Sequence, residues 1–524
     1  MSSLDFSNYE NFLEALQQGD HNTVMLHWLT LLEISDDLPP LGWDLITSFK
    51  LSWLRENKLI PIASMHNRFY MARPNANVQQ QAELSEVLQQ PVSLYSCSEQ
   101  ALIRFWQYVE VIQARLKAVV TESSEAQSLT HIFKDLLLRA KQHRASDIHL
   151  EPQLDHSVLV RYRIDGLLHE VKTLEAQDFD FNTQLVSQIK VAADLDIVET
   201  RIPQDGRITE RIENESVDLR VSTLPSLHGE KVVIRLLPNK NPFQHLKDLG
   251  LEGEALQTYE RWINQPQGMV LITGQTGSGK TSTLYTTLSH VLSAQKNVVT
   301  IEDPIEYPLK GTTQVQVHPK VGLTFASGLR SILRQDPDTI LLGEIRDAET
   351  AGVAYQAALT GHLILSTLHT NDAPSAIIRL SDMGIEPYLI ASATLGVVAQ
   401  RLIRRVCTHC AQAYTPATDL LKSLNLPMHD HYKFYKAVGC EECFHTGYYG
   451  REGIFEIMPF DDTLGNLIYH KEQLTKIRHH LQSQKIQTLY ESAINKVVRG
   501  LSTIEEINRV IPPGQQYLRS AHRG

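Results

Sequence analysis

The feature that most constrains this chain is a glycine-rich stretch that runs from Met269 to Leu284. A short apolar run enters the stretch, and helix-compatible residues follow it. The stretch fits the phosphate-loop pattern G-x-x-x-x-G-K-[ST] at every fixed position. The matching residues are Gly274, Gly279, Lys280 and Thr281. This strand–turn–helix context predicts an α/β domain that binds a nucleoside triphosphate.

The residue types of the loop explain the predicted chemistry. Glycines let successive backbone N–H groups turn towards phosphate oxygens. The positive end of the following helix points at the same anion. We expect Lys280 to reach the β- and γ-phosphates and the Thr281 hydroxyl to hold Mg²⁺. The predicted nucleotide-contacting residues are Gly274, Gln275, Thr276, Gly277, Ser278, Gly279, Lys280, Thr281 and Ser282.

Length and composition bound the class of protein. A chain of 524 residues is too long for one core, and roughly three or four domains are expected. The formal net charge of −11 argues against a protein built mainly to coat nucleic acid. The amino terminus lacks the basic and apolar regions of a signal peptide, and no apolar run approaches the ~20 residues of a membrane span. We therefore expect a cytoplasmic protein that associates with a membrane only through partners.

Two modules are predicted before the phosphate loop. Residues 1–115 are expected to form a small α/β docking or regulatory module, with two strands around a turn at 66–68. Residues 116–240 are expected to form a second, PAS-like α/β domain with alternating strands. Arginines recur on the polar faces of these strands. They fit a set of charge clamps for phosphate oxygens, and a solvated strand face explains any single one equally well.

Residues 241–400 are predicted to form a RecA-like, doubly wound sheet around the phosphate loop. Three buried-type strands end in polar residues, and ligands bind at the carboxyl ends of strands in such sheets. The first strand is followed by Glu302, Asp303 and Glu306, and the second ends at Glu344. Two histidines beside the third strand, His362 and His369, are expected to contact the γ-phosphate.

Four of the five cysteines form two C-x-x-C pairs, Cys407/Cys410 and Cys440/Cys443. Paired cysteines in a cytosolic chain indicate metal ligands, and this spacing is typical of a tetrahedral Cys₄ zinc site. All four thiolates would be used, so the predicted zinc is structural. Residues 401–455 form this predicted zinc-binding subdomain, and residues 456–524 are predicted to be a helical region.

The chain resembles the secretion ATPases of type II secretion and type IV pilus assembly (GspE/PilB-like) over roughly residues 130–510. The aspartate box of that family resembles residues 300–307, and its Walker B region resembles residues 333–347. Its histidine box resembles residues 360–371, and its zinc knuckle resembles the segment that carries the four cysteines. The motor motifs are the specific part of this resemblance.

The resemblance implies roles for individual residues. Glu306 resembles the general base that polarises the attacking water, and Glu344 resembles the Walker B acid that holds Mg²⁺ through water. The phosphate-loop pattern by itself leaves these two roles exchangeable. His369 resembles the γ-phosphate sensor. Arg207 and Arg220 resemble arginines that the preceding domain brings to the nucleotide across a subunit boundary.

The family works as a homo-hexamer at the inner face of the inner membrane. The resemblance therefore implies ATP, Mg²⁺ and Zn²⁺ as ligands, and an inner-membrane platform protein and a docking protein as partners. Nucleic acid is not an expected partner. Domain rotation would turn ATP hydrolysis into the assembly of pilin or pseudopilin filaments.

Three alternatives stay open. A pilus-retraction ATPase shares the motor motifs, although the zinc knuckle and the long amino-terminal region argue against it. A DNA-translocating ATPase is disfavoured by the acidic balance of the chain. A regulatory scaffold that binds nucleotide without turnover would be expected to lack one of the acids. The motor motifs do not separate secretion from pilus assembly.

Overall fold

The computed structural model describes residues 9–18, 21–34, 45–46, 48–107, 109–110, 124–174, 181–213, 215–237, 241–424, 426 and 432–512. The chain divides into two compact units. The first holds most residues up to Arg235, and the second holds Leu236 onward together with the short segments Arg163–Leu167 and Ser216–Asp218. Among the described residues, no helix has the length and the apolar character needed to cross a membrane.

The first unit contains two sheets. The strands up to residue 237 are β1 Ile60–Met65, β2 Arg68–Pro74, β3 Val92–Cys97, β4 Ala145–Pro152, β5 Val158–Ile164, β6 Leu167–Leu174, β7 Gln204–Ile212, β8 Glu215–Ser226 and β9 Gly229–Leu237. The helices in this range are α1 Tyr9–Gln18, α2 His21–Ile34, α3 Leu51–Glu56, α4 Val78–Val87, α5 Ser124–Gln142 and α6 Phe181–Ala192. Strands β1–β3 form one sheet, and the other has the order β6-β5-β4-β9-β8-β7.

Local sequence explains the predicted strands of this unit. His66 and Asn67 both have positive φ values, 50° and 61°, and close the antiparallel β1–β2 hairpin. Strand β5 alternates buried and half-buried residues along its whole length, as a strand with one face on a core does. The buried hydroxyl of Tyr162 on β5 donates to the carbonyl oxygen of Leu136 on α5 at 2.8 Å. The six-stranded sheet is therefore held to α5 by a specific bond as well as by apolar packing.

The second unit is built on a seven-stranded sheet with the order β12-β11-β13-β14-β10-β15-β18. The strands after residue 237 are β10 Gly268–Thr273, β11 Val298–Glu302, β12 Thr313–Gln316, β13 Thr339–Leu342, β14 Leu363–Leu368, β15 Thr394–Val406, β16 Gln412–Tyr414, β17 Phe434–Lys436 and β18 Tyr448–Pro459. The strands of the large sheet are parallel from β12 to β15, and β18 pairs antiparallel to β15.

Helices cover both faces of this sheet. The helices after residue 237 are α7 Gly253–Ile263, α8 Lys280–Val291, α9 Phe325–Ile332, α10 Ala348–Leu359, α11 Ala373–Asp382, α12 Pro387–Ala393, α13 Thr418–Ser423, α14 Asp462–Tyr469, α15 Leu474–Ser483, α16 Leu489–Val498 and α17 Ile504–Val510. All six residues of β10 are buried. Leu271 packs into one apolar cluster, whereas Val270 and Ile272 pack into another. Both faces of the central strand are thus buried, which confirms the predicted doubly wound α/β fold.

The predicted division into five parts stays a prediction, and two of its boundaries meet continuous strands. Strand β15 runs from Thr394 to Val406, so the boundary proposed at residue 400 falls inside it. Strand β18 runs to Pro459 and passes the boundary proposed at residue 455. Sequence patterns place a boundary where the motif changes, whereas the sheet continues through both positions.

Candidate functional site: a phosphate loop at the carboxyl edge of the large sheet

The phosphate loop connects β10 to α8 at the carboxyl edge of the sheet. Gly274, Gly277 and Gly279 have φ values of 155°, 80° and 88°. The last two lie in the left-handed region, which glycine adopts without strain. Nothing lies within 4 Å of the position that a Cβ on Gly277 would occupy. The loop thus has the glycine-dependent backbone conformation that a phosphate-binding turn requires.

Helix α8 begins at Lys280, directly after the loop. The Lys280 ammonium group donates to the carbonyl oxygens of Gly274 at 2.8 Å and of Gln275 at 3.1 Å. Burial lowers the pKa of Lys280, and the nearby carboxylate of Glu344 opposes that shift. The cation is therefore held over the loop and next to an acidic side chain.

The remaining loop residues differ in exposure. Gln275, Thr276 and Thr281 are exposed, and Ser282 is half-buried in the first turn of α8. Ser278 is 5% exposed, and its Oγ has no hydrogen-bond partner among the described residues. The exposed residue Thr281 and the unsatisfied buried hydroxyl of Ser278 offer groups that a bound phosphate and its Mg²⁺ can use.

Glu344 and His369 meet beside the loop. Glu344 follows β13 and His369 follows β14, and these strands are neighbours in the sheet. His369 Nε2 lies 3.6 Å from Glu344 Oε2, and Arg346 Nη2 donates to Glu344 Oε1 at 2.6 Å. Burial and the charge of Lys280 lower the pKa of His369, while Glu344 opposes them. The neutral imidazole is thus favoured near neutral pH.

The acidic residues after β11 have different environments. Glu302 is 4% exposed, and its carboxylate accepts bonds from the Tyr285 hydroxyl and from Thr300 Oγ1. Glu306 is half-buried, and its backbone N–H donates to the Tyr285 hydroxyl oxygen at 3.3 Å. Glu302 is therefore a buried structural acid, whereas Glu306 lies on the loop beside helix α8.

The expectation that His362 contacts the γ-phosphate is wrong. His362 precedes β14, and its carbonyl oxygen accepts the N–H of Gly268 at the start of β10. Its ring Nδ1 lies 3.0 Å from the carbonyl oxygen of Ala357. The six residues of β14 separate His362 from His369, which is a distance of ~20 Å along a strand. Sequence alone placed both histidines at a strand end, and the strand direction separates them.

Arg207 and Arg220 lie on neighbouring strands of the six-stranded sheet, β7 and β8. Arg207 is exposed and Arg220 is half-buried. Both belong to the first unit. Their role at a nucleotide stays a prediction.

The four cysteines converge as their spacing predicts. Their Sγ atoms all lie within 4.8 Å of one another, and three of the Sγ–Sγ distances are 3.7–3.8 Å. Those distances are too long for a disulfide and match the ~3.8 Å edge of a tetrahedron with Zn–S bonds of about 2.3 Å.

Backbone N–H groups complete the surroundings of the cysteines. Gly447 donates to Cys443 Sγ at 3.2 Å, and Gly439 donates to Cys410 Sγ at 3.3 Å. Such donors stabilise thiolates and orient them toward a metal. The residues present therefore fit a structural zinc ion.

Two site residues were not predicted. Tyr285 lies on α8, outside every motif pattern, and Gln400 lies on β15 beside the loop. Tyr285 follows Lys280 by five positions on the same helix. Its role in the site can be recognised only when the position of Glu302 is known. Gln400 can be recognised as a site residue only once β15 is known to pair with β10.

A doubly wound sheet with a phosphate loop after its central strand, a basic residue over the loop and an acid–histidine pair beside it defines a RecA-like P-loop ATPase. The sequence model of the family described as "Type II/IV secretion system protein" matches residues 122–509 of this chain. The chain belongs to this family.

The relatives carry related names. The "Type II secretion system protein E" of Dickeya dadantii (strain 3937) is 47% identical over 382 residues, which cover 73% of this chain and 75% of the relative. The "Type II secretion system ATPase E" of Vibrio cholerae is 44% identical over 389 residues, 74% of this chain and 76% of the relative. The "Type IV pilus assembly ATPase PilB" of Thermus thermophilus is 44% identical over 376 residues, 71% of this chain and 42% of the relative.

Solved structures share the fold. The pilus retraction motor PilT is 24% identical with a TM-score of 0.50, over 73% of this chain and 98% of that one. The Legionella pneumophila ATPase DotB is 22% identical with a TM-score of 0.54, over 72% of this chain and 95% of that one. Together with the family, these findings confirm the predicted fold class, the resemblance to secretion and pilus-assembly ATPases, and an ATP-hydrolysing activity.

Proposed function

We propose that this chain is the cytoplasmic motor of a filament-assembling secretion machine and works as a homo-hexamer at the inner face of the inner membrane. ATP hydrolysis drives the addition of pilin-like subunits to a filament through an inner-membrane platform protein. The observation that carries the proposal is the meeting of Lys280, Glu344 and His369 at the carboxyl edge of the sheet. The names of the relatives support this use of the site.

The residues divide the chemistry as follows. The loop N–H groups and Lys280 bind the phosphates of ATP, and Thr281 and Glu344 would hold a Mg²⁺ ion, which would neutralise the phosphate charge. Glu306 orients and deprotonates the attacking water, and neutral His369 donates a hydrogen bond to the γ-phosphate. Phosphoryl transfer to water needs charge stabilisation and positioning, and this set of groups supplies both.

Three further features complete the proposal. Arg207 and Arg220 act on the nucleotide of a neighbouring subunit, where a guanidinium matches the phosphate oxygens. The four cysteines hold a zinc ion that stabilises the fold and takes no part in hydrolysis. The amino-terminal module binds an inner-membrane docking protein, which gives the chain its peripheral membrane association.

A pilus-assembly machine is the second candidate, because the Thermus thermophilus PilB relative is as similar in sequence as several of the secretion relatives. That relative is much longer, since the aligned segment covers 42% of it against 75% of the Dickeya dadantii relative. The identity of 47% to the Dickeya dadantii secretion relative, against 44% to the PilB relative, favours type II secretion.

The test is ATPase activity with and without the cytoplasmic fragments of a secretion platform protein and of a pilus platform protein, with the oligomeric state followed by light scattering. We expect a hexamer whose turnover rises with the secretion fragment, while Lys280→Ala stays inactive. Stimulation by the pilus fragment alone would select pilus assembly. A monomer that binds ATP tightly and that neither fragment activates would overturn the motor proposal in favour of a regulatory scaffold.

A further inference from the structure

Gln400 lies beside the phosphate loop on the strand next to β10. Strands β15 and β10 are parallel, and Ala399 pairs with Thr273. Gln400 therefore follows Ala399 at the level of Gly274, the first residue of the loop. The side chain is 2% exposed. A buried amide at this level needs an explanation, because amides are seldom fully buried without a partner.

Gln400 contacts two glycines of the loop. A Cβ on Gly274 would overlap the backbone carbonyl oxygen of Gln400. A Cβ on Gly279 would lie 2.8 Å from Gln400 Nε2, closer than side chains approach in proteins. The loop is thus closely packed against Gln400 at its first residue and at Gly279, the residue directly before the helix. Its glycines are required by this neighbour as well as by the phosphate.

The orientation of the Gln400 amide is fixed from helix α8. Thr283 Oγ1 donates to Gln400 Oε1 at 2.8 Å, and Thr283 is fully buried. The Thr283 N–H donates to the carbonyl oxygen of Gly279 at 3.0 Å, so this residue belongs to the first turn after the loop. Because Thr283 occupies the amide oxygen, the amide nitrogen faces Gly279. One side chain therefore connects β15, the loop and α8.

We infer that Gln400 is a positioning residue for nucleotide binding. It keeps the phosphate loop in the shape in which its backbone N–H groups receive the phosphates, and it acts through the loop without touching the nucleotide. The inference rests on the proposed function, since it assumes that this loop binds ATP. A loop held in its binding conformation loses less entropy when the ligand binds, so its affinity is higher.

Replacement by methionine separates positioning from filling space. Gln400→Met keeps the length of the side chain and its burial but removes the amide. We expect the KM and the Kd for ATP to rise about three- to tenfold, the effect of losing one neutral hydrogen bond. The kcat is expected to stay within about twofold, because the loop holds the phosphates equally in the ground and transition states.

Thr283→Val supplies an independent second variant, because it removes the hydroxyl that orients the amide and keeps the shape. Its effect on KM is expected to be smaller than that of Gln400→Met, and the double variant should match Gln400→Met alone. Thr394→Val is the matched control. Thr394 begins the same strand, is buried and bonds the Tyr355 hydroxyl at 3.1 Å, but lies ~20 Å from the loop along the strand.

The outcomes separate this inference from the proposed function. Lys280→Ala must abolish ATP binding, and a normal Kd in that variant would overturn the loop assignment itself. If Lys280→Ala binds no ATP while Gln400→Met and Thr283→Val keep the wild-type KM, only the positioning role is overturned. A rise of KM in Thr394→Val as large as in Gln400→Met would assign the effect to general loosening of β15 and would also overturn it. If Gln400→Met does not fold, the KM of Thr283→Val decides.

Discussion

The hydroxyl group of Tyr285 donates a hydrogen bond to the buried carboxylate of Glu302 and accepts one from the backbone N–H of Glu306. Tyr285 lies on α8, the helix that follows the phosphate loop, whereas Glu302 ends β11. Burial and the bond to Glu302 raise the pKa of Tyr285, so the phenol remains a protonated donor. The proposed base is therefore held to the phosphate-binding helix through one hydroxyl group.

Tyr285→Phe tests this connection. Removal of the hydroxyl leaves a buried carboxylate with one donor fewer, so we expect unfolding to be easier by about 1–3 kcal/mol. The kcat is expected to fall several-fold because the segment that carries Glu306 loses an anchor, while ATP binding is retained. Tyr355→Phe is the matched control, since its buried hydroxyl bonds Thr394 and lies outside the site. Equal losses of kcat in both variants would contradict the connection.

Substitutions of Glu306 and Glu344 are expected to affect different steps, hydrolysis and Mg²⁺-dependent ATP binding. Glu306→Gln should bind ATP and hydrolyse it about 10²-fold more slowly or worse, because an amide cannot accept the proton of the attacking water. Glu344→Gln should weaken Mg²⁺-dependent ATP binding. Glu349→Gln, in a surface ion pair with Arg330, should leave both quantities unchanged. The measurements are single-turnover hydrolysis and Mg²⁺ titration. Near-normal turnover in Glu306→Gln would transfer the role of base to Glu344.

The proposed arginines can be tested in mixed assemblies. Arg207→Ala and Lys280→Ala are each expected to be nearly inactive alone. If the arginine serves a neighbouring subunit, a mixture of the two forms interfaces at which an intact Lys280 meets an intact Arg207. Mixing should then restore part of the ATPase activity. A mixture as inactive as its components, in a confirmed hexamer, would place the arginine in its own subunit's site or outside catalysis.

A pH-dependent stability is expected from Glu456, away from the phosphates. Its two carboxylate oxygens accept the N–H groups of Ala373 and Leu489, each at 3.1 Å. Burial, the larger cause, and the charge of Asp372, the smaller cause, raise the pKa of Glu456 to about 7, above the ordinary value of 4.5. The charge of Arg478 opposes this rise. Between these values the folded state binds more protons than the unfolded state, so this contribution is present below pH 4.5 and is lost as the pH rises through 7.

Glu456→Gln should remove that dependence. Urea unfolding of both proteins between pH 5 and pH 8 is expected to show the wild type losing on the order of 2 kcal/mol relative to the variant as the pH rises. The other titrating groups are common to both proteins and cancel in the difference. A difference that stays constant across this range would contradict the prediction.

The cysteine cluster predicts a measurable metal content. Purified protein should contain about one zinc ion per chain, and Cys443→Ser should lose it together with thermal stability. Cys97→Ser is the control, because Cys97 lies on β3 and outside the cluster. Metal analysis and thiol titration are the measurements. Five titratable thiols, Cys97 included, and no metal in the wild type would refute the site.

The phosphate loop and the cysteine site can be predicted from the sequence because both depend on short, fixed spacings. Gly274 to Thr281 and each C-x-x-C pair are local in the chain, so the pattern contains the geometry. Glu302 differs, because an acid after a strand is equally compatible with catalysis and with burial. Only the position of Tyr285 on another element shows that Glu302 is a buried, bonded acid.

Long-range pairing explains what the sequence could not predict. His362 and His369 stand at opposite ends of β14, and the side of the sheet that receives the loop is set by the direction of β10 beside it. Gln400 reaches the loop only because β15 is the other neighbour of β10. Neither relation leaves a motif in the sequence.

The pairing of β15 with β18 has a consequence for the cysteine-bearing segment. Val406 and Tyr448 are Cα partners across these two antiparallel strands. The described residues between them, with all four cysteines, therefore leave the large sheet, and the chain returns to the adjacent position. A tight hairpin turn could join the same two residues with the strand order unchanged. The metal site is in this sense carried by an insertion between two adjacent strands, and the insertion also contributes Leu421, Leu424 and Phe434 to the apolar core of the second unit.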